Sequence, residues 1–141
     1  MNLAVTAHAE VSHRRTSVLH GLVLLALCSA YLLGGVVKLL DFPGAVAEMQ
    51  HFGLPFPELV AWAVIVTELG ASAMVLSGKL RWVGALFLAG FTVAASLVAN
   101  RFWQLPGPER GMAANTFFEH IGLAAGFVLV AWMDVSRRRS S

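Results

Sequence analysis

The sequence predicts an all-α protein, a membrane-embedded four-helix bundle with a short interfacial helix between helices 1 and 2. Composition is the first observation behind this prediction. Hydrophobic residues make up 57% of the 141 residues and charged residues only 13%, too few to cover the surface of a soluble domain. The second observation is that the apolar residues form four runs, each long enough to cross a bilayer. The third is that charge gathers in the segments between the runs.

The four predicted spans cover residues 18–40, 58–76, 82–101 and 112–133, inside a single domain of residues 17–134. Residues 1–16 are predicted to be a disordered cytoplasmic leader, and residues 135–141 a basic cytoplasmic tail. A basic leader before an apolar run also resembles a signal peptide. The first run, however, continues without interruption to Val37 and ends at Lys38, which favours a retained membrane anchor over cleavage.

A short helix is predicted over residues 41–53, between the first two spans. Asp41 can cap its first turn, Pro43 fits that turn, and Gly53 can end the helix. Its apolar side, which we expect to lie on the membrane surface, is formed by Phe42, Val46 and Met49.

The distribution of Lys and Arg predicts the orientation of the chain. With both termini in the cytoplasm, the cytoplasmic segments contain seven basic residues: Arg14, Arg15, Lys79, Arg81, Arg137, Arg138 and Arg139. The outer segments then contain three: Lys38, Arg101 and Arg110. This excess satisfies the positive-inside rule. The net charge of +2 is therefore interpreted as a signature of topology, and no nucleic-acid partner is expected.

Ionisable residues inside the spans concentrate in the outer half of the predicted bundle. Lys38 and Arg101 stand at the outer ends of helices 1 and 3. Glu119 and His120 lie roughly 10 Å below the outer start of helix 4, and Glu68 lies roughly 15 Å below the start of helix 2. All four helices therefore contribute to one polar region, which is the predicted functional site.

Glu68 is the centre of that prediction, because a charged side chain at mid-bilayer costs about 2.5–3.5 kcal/mol and marks a functional site by default. It requires either an ion pair, with Lys38 or Arg101, or a proton of its own. Glu119 and His120 are adjacent and point about 100° apart, so only one of them can face the bundle interior. The predicted catalytic residues are Glu68 and His120, and the predicted ligand-binding residues are Lys38, Arg101, Glu119, Tyr31 and Trp62.

Few cofactors are compatible with this chain. Its single cysteine, Cys28, excludes an intrachain disulfide and a thiolate metal cluster. His20 and His120 lie near opposite membrane faces, which disfavours a haem held by two histidines. Glu68, Glu119 and His120 contain no pair at helical ligand spacing, so no metal site is predicted.

Five short motifs follow one another along the chain: Tyr31-Leu-Leu-Gly-Gly-Val-Val-Lys38-Leu, Phe52-Gly-Leu-Pro55, Glu68-Leu-Gly70, Gly78-Lys-Leu-Arg81 and Phe117-Phe118-Glu119-His120-Ile-Gly-Leu. Together they resemble the motifs of the DoxX family. The resemblance covers roughly residues 17–133. It implies a four-helix protein of the prokaryotic plasma membrane. Family members are linked to a thiosulfate-oxidising, quinone-reducing complex, and others accompany oxidative-stress or thiol-handling partners.

The family's Lys, Glu and Arg positions carry over to Lys38, Glu68 and Arg81. The last helix differs: family members commonly have a Lys-Asn pair where this chain has Glu119-His120. The departure replaces a cation by an acid and a ring that titrates near neutral pH. It implies a different interaction with protons or with a partner in this chain.

Two functions fit these observations. The first is an accessory subunit of a quinone-linked redox complex, binding a quinone or a lipid-like ring in the outer half of the bundle. Because the sequence has no flavin, haem or iron–sulfur motif, the electrons would come from a larger partner protein. The second is a non-catalytic membrane anchor or assembly subunit that docks a larger partner or a second copy of itself. A transporter is less favoured, because the sequence has no internal repeat or broken mid-membrane helix.

Overall fold

The computed structural model describes the backbone of residues 2–139 and the side chains of residues 17–139. Within this part the helices are α1 (Asn2–Leu40), α2 (Phe42–His51), α3 (Pro57–Ser77), α4 (Arg81–Ala99) and α5 (Gly107–Arg139), with a 3-10 turn over Phe102–Gln104. Four of them, α1, α3, α4 and α5, are long and apolar enough to cross a membrane. The predicted all-α fold with four spans is confirmed.

The two terminal helices are longer than the spans they contain. α5 continues past the predicted fourth span to Arg139, so most of the predicted basic tail is helical. α1 begins at Asn2, inside the predicted leader. No side chain is described before Ser17, and the disorder expected for residues 1–16 stays a prediction.

The long helices pack in the order α1, α3, α4, α5, each against the next. Their shared core contains Cys28 and Tyr31 of α1, Val75 of α3, Leu88 of α4 and Phe127 of α5. Large apolar side chains on the outer faces of these helices are exposed, as expected where lipid is the solvent.

Small residues set the closest helix contact. A Cβ atom added at Gly84 of α4 would lie only 2.6 Å from the backbone oxygen of Ala71 in α3. Two backbones approach this closely only when one of them has no side chain at the crossing.

The short helix α2 is capped as predicted. The Asp41 carboxylate accepts a hydrogen bond from the backbone N–H of Gly44 at 3.1 Å, and Pro43 lies in the first turn. Gly53 follows the helix with φ +68°, a left-handed conformation that glycine adopts without strain.

The apolar side of α2, expected from the sequence to lie on the membrane surface, packs against α3. Ala45 and Met49 of α2 are 2% and 5% exposed and contact Ala61 of α3. The Phe42 ring also lies 4.8 Å from the Trp62 ring. The physical reason is that α3 offers an apolar face within reach of a segment tethered directly to α1 and α3.

Candidate functional site

A cavity of about 490 Å³ lies in one half of the bundle. This half contains the C-terminal ends of α1 and α4 and the N-terminal ends of α3 and α5, and is called here the Lys38 end. Residues of all five helices line the cavity, and most of its walls are apolar, including Met49, Val64, Phe91 and Leu123. Its ionisable and hydrogen-bonding lining residues include Tyr31, Lys38, Glu48, Glu68, Thr92 and His120.

An ion pair between α1 and α3 lines this cavity. The Nζ atom of Lys38 donates to Oε1 of Glu68 at 3.4 Å, and the two side chains are 18% and 8% exposed. Among the described residues, the second carboxylate oxygen of Glu68 has no hydrogen-bond partner, although it is buried. A carboxylate has about four acceptor positions, so Glu68 retains capacity for a further donor.

Tyr31 begins a short chain of hydrogen bonds between α1 and α4. The hydroxyl of Thr92 donates to the backbone oxygen of Leu88 at 2.5 Å. Because that hydroxyl has only one proton, its bond with Tyr31 must be donated by the Tyr31 hydroxyl. The ring of Tyr31 is also held edge-on, 5.4 Å from Phe127 and 6.3 Å from Phe91. The position of Tyr31 is thus fixed by these contacts, and its hydroxyl oxygen can accept a further hydrogen bond.

His120 enters the cavity wall from α5. Its Nδ1 atom lies 2.7 Å from the backbone oxygen of Thr116, one turn earlier in the helix. A carbonyl oxygen can only accept, so Nδ1 carries the proton and donates. In the neutral imidazole the other ring nitrogen, Nε2, is then an acceptor.

Three of the residues predicted to bind a ligand do not line the cavity. Arg101 is exposed just beyond the end of α4 and donates to the backbone oxygen of Leu97 at 3.3 Å. Glu119 is exposed on α5 and accepts from Asn115 at 2.6 Å. Trp62 is 48% exposed and packs against the ring of Phe42. Of the Glu119-His120 pair, His120 is therefore the one that faces the bundle.

Glu48 and Thr92 are cavity residues that the sequence did not single out. Glu48 was placed on an interfacial helix lying flat on the membrane, away from the polar region. Thr92 is 1% exposed and uncharged, so nothing distinguished it from an ordinary helix residue. Glu48 and Met49 are adjacent on α2 and point about 100° apart, so the helix carries an apolar side next to an acidic one.

Arg81 lies at the opposite end of the bundle, where it closes the turn between α3 and α4. Its Nε atom donates to the backbone oxygen of Val75 at 2.9 Å. This carbonyl belongs to the last turn of α3, where the backbone C=O groups have no N–H partner within the helix. Arg81 thus stabilises a helix end and does not contribute to the cavity, whose lining comes from the Lys38 end.

The fold and the cavity define a small multi-pass membrane protein with a mostly apolar cavity, carrying a few ionisable groups, inside its helical bundle. The chain belongs to the DoxX family, whose family model matches residues 21–101. This stretch includes Lys38 and Glu68 and ends before α5. The Glu119-His120 pair therefore lies outside the matched region.

The chain is also similar to the inner membrane protein YphA of Escherichia coli (strain K12). The two are 25% identical over 107 residues, which is 76% of each chain. No solved structure gives a significant match.

Proposed function

We propose that this DoxX-family protein binds a quinone, or a similar lipid-soluble ring, in the cavity at the Lys38 end, as an accessory subunit of a quinone-linked redox complex. The observation that carries the proposal is the Lys38–Glu68 ion pair, which lies in the wall of an intramembrane cavity of about 490 Å³. Charged groups are expensive in a bilayer and persist there mainly for a function.

The cavity fits such a ligand in size and chemistry. Pockets for small molecules and cofactors commonly measure about 300–1,000 Å³, with mostly apolar walls and a few placed polar groups. Here Phe91, Val64 and Met49 supply apolar contact for a ring and the start of an isoprenoid tail. Lys38 supplies hydrogen bonds for the ring oxygens, and the Nε2 atom of His120 can accept one from a ring hydroxyl.

The polar residues have distinct roles in this proposal. A bound quinone supplies two-electron, two-proton chemistry. Lys38 keeps two of its three N–H donors and stabilises negative charge on a ring oxygen. Glu68 and His120 accept or return the protons. The electrons are exchanged with a larger partner protein that carries its own redox cofactor.

The orientation of the chain completes the proposal. The excess of Lys and Arg in the segments at the opposite end favours a plasma membrane protein with both termini in the cytoplasm. The cavity then lies in the outer half of the prokaryotic inner membrane.

Equilibrium binding of a short-chain benzoquinone to the purified protein in nanodiscs tests the proposal. We expect saturable binding that is weakened at least about tenfold in Lys38→Met, because Lys38 donates the hydrogen bond that a quinone oxygen accepts. Glu119→Gln is the matched control, since Glu119 lies on the exposed side of α5. Absence of saturable binding, or equal loss in both variants, would contradict the proposal.

A non-catalytic anchor or assembly subunit is the second candidate, and Glu119 favours it. This carboxylate is exposed beside Phe118, which is 63% exposed. An exposed carboxylate within a span is stabilised when a partner offers it a cation or hydrogen-bond donors. Co-purification in mild detergent separates the two candidates. The anchor is supported if a larger protein or a second copy co-purifies in stoichiometric amount, if Glu119→Gln loses it, and if benzoquinone does not bind.

A further inference from the structure

The hydrogen-bonding groups that line the cavity are unequally divided between donors and acceptors. The backbone and neighbouring side chains already use most of the donors. The Thr92 hydroxyl donates to the backbone oxygen of Leu88, and the Tyr31 hydroxyl donates to the hydroxyl oxygen of Thr92. The Nδ1–H group of His120 donates to the backbone oxygen of Thr116. The lining groups that still have a lone pair to offer are the Tyr31 oxygen, the Nε2 atom of His120 in its neutral imidazole form, and the carboxylates of Glu68 and Glu48.

Lys38 is the principal donor that remains on this lining. Its ammonium makes one bond, to Glu68, and has two further N–H groups. The Thr67 hydroxyl, which also lines the cavity, can donate or accept and leaves the balance unchanged. The lining therefore offers more acceptors than donors to whatever occupies the cavity.

This imbalance distinguishes the two redox forms of a quinone. An oxidised quinone has two carbonyl oxygens, which only accept, so its polar contact in this cavity depends on Lys38. The reduced hydroquinone has two hydroxyls, each of which donates one proton and also accepts. One hydroxyl oxygen can accept from Lys38 while both hydroxyl protons go to acceptors such as Glu68 and His120.

We propose that the cavity binds the reduced, hydroxyl-bearing form of its ring, a hydroquinone, in preference to the oxidised quinone. The inference rests on the proposed function and specifies the form of the ligand. It adds that the acceptor-rich lining selects a ring with two hydrogen-bond donors. The Glu68 carboxylate is the main determinant, since its side chain is 8% exposed and retains unused acceptor capacity.

Equilibrium binding of three probes to the protein in nanodiscs tests the inference: a short-chain benzoquinone, the matching hydroquinone kept reduced under argon, and the dimethyl ether of that hydroquinone. The ether retains the ring and both oxygens but has no donor. We expect the hydroquinone to bind at least about tenfold more tightly than either other probe, because it alone donates to a charged acceptor.

Variants assign the preference to residues. Glu68→Gln and His120→Phe each reduce the ratio of hydroquinone to benzoquinone affinity, whereas Glu119→Gln leaves it unchanged. If Glu68→Gln does not fold, the affinity ratio of the wild-type protein and its change in His120→Phe test the inference. Equal or inverted affinities with measurable benzoquinone binding overturn this inference and leave the proposed function standing. Failure of all three probes to bind overturns both.

Discussion

Gly34 lies directly against the carboxylate of Glu68. A Cβ atom added at Gly34 would be 3.3 Å from Oε2 of Glu68 and 3.5 Å from Nζ of Lys38. The missing side chain on α1 therefore leaves the space in which the ion pair sits. One residue on α1 supplies the cation, and another, one helical turn earlier, supplies the room for its partner.

Gly34→Val tests this relationship. The added methyl groups overlap the carboxylate position, so we expect a loss of about 1–3 kcal/mol in the free energy of unfolding and loss of ring binding. Gly70→Val is the matched control, because a Cβ added at Gly70 meets nothing within 4 Å. Unfolding in detergent and binding in nanodiscs are the measurements. Equal behaviour of the two valine variants would contradict the assignment.

The Lys38–Glu68 pair predicts strong coupling between its two positions. Lys38→Met leaves a buried carboxylate without its cation, which should destabilise the fold on the order of 3 kcal/mol. The double variant Lys38→Met/Glu68→Leu removes both charges and should recover most of that loss. A double-mutant cycle on unfolding in detergent measures the coupling. Additive effects of the two changes would show that the pair contributes nothing as a unit.

The direction of the Tyr31–Thr92 hydrogen bond predicts unequal effects of its two partners. Tyr31→Phe removes the donor and keeps the ring contacts with Phe127, so the free energy of unfolding should fall by about 1 kcal/mol. Thr92→Val leaves the buried Tyr31 hydroxyl without its acceptor, which should cost about 1–3 kcal/mol. Thermal unfolding of the two variants in the same detergent gives the order. A larger loss in Tyr31→Phe would reverse the assigned direction.

The orientation of the chain can be tested with single introduced cysteines. Cys28 is 0% exposed and should stay unlabelled in the folded protein. We expect Gln104→Cys, in the turn at the Lys38 end, to react with a membrane-impermeant maleimide on intact cells. Lys79→Cys, in the turn at the opposite end, should react only after the cells are permeabilised. The opposite pattern would place both termini outside and the cavity in the inner half of the membrane.

Much of the fold followed from the sequence because hydrophobic run length has few structural solutions in a bilayer. Four long, mostly apolar runs favour helices because the backbone must satisfy its own hydrogen bonds in a bilayer, and the cost of burying Glu68 required either a nearby cation or a proton. Lys38 was one of the two candidates named for that role, and the structure pairs it with Glu68 at 3.4 Å.

The cavity was harder to predict because its lining depends on the rotation of each helix. Depth along a helix is read from residue number, but the direction of a side chain depends on packing. Glu119 and His120 share a depth and point about 100° apart, and only packing selects His120 for the interior. Arg101 does not line the cavity for a similar reason: it lies two residues beyond Ala99, the last residue of α4, where the chain turns away.

The docking of α2 on α3 has a consequence for how a lipid-dissolved molecule reaches the interior. Glu48, Met49 and Phe52 make part of the cavity wall and lie between Asp41 and Gly53, in α2 and its C-cap residue. Displacing α2 from α3 would expose the small cluster of Ala45, Met49 and Ala61 and the partly buried side chains around it, whereas separating two spans would expose the larger core around Phe127. The least demanding route of entry is therefore sideways, from the membrane border, past the shortest helix.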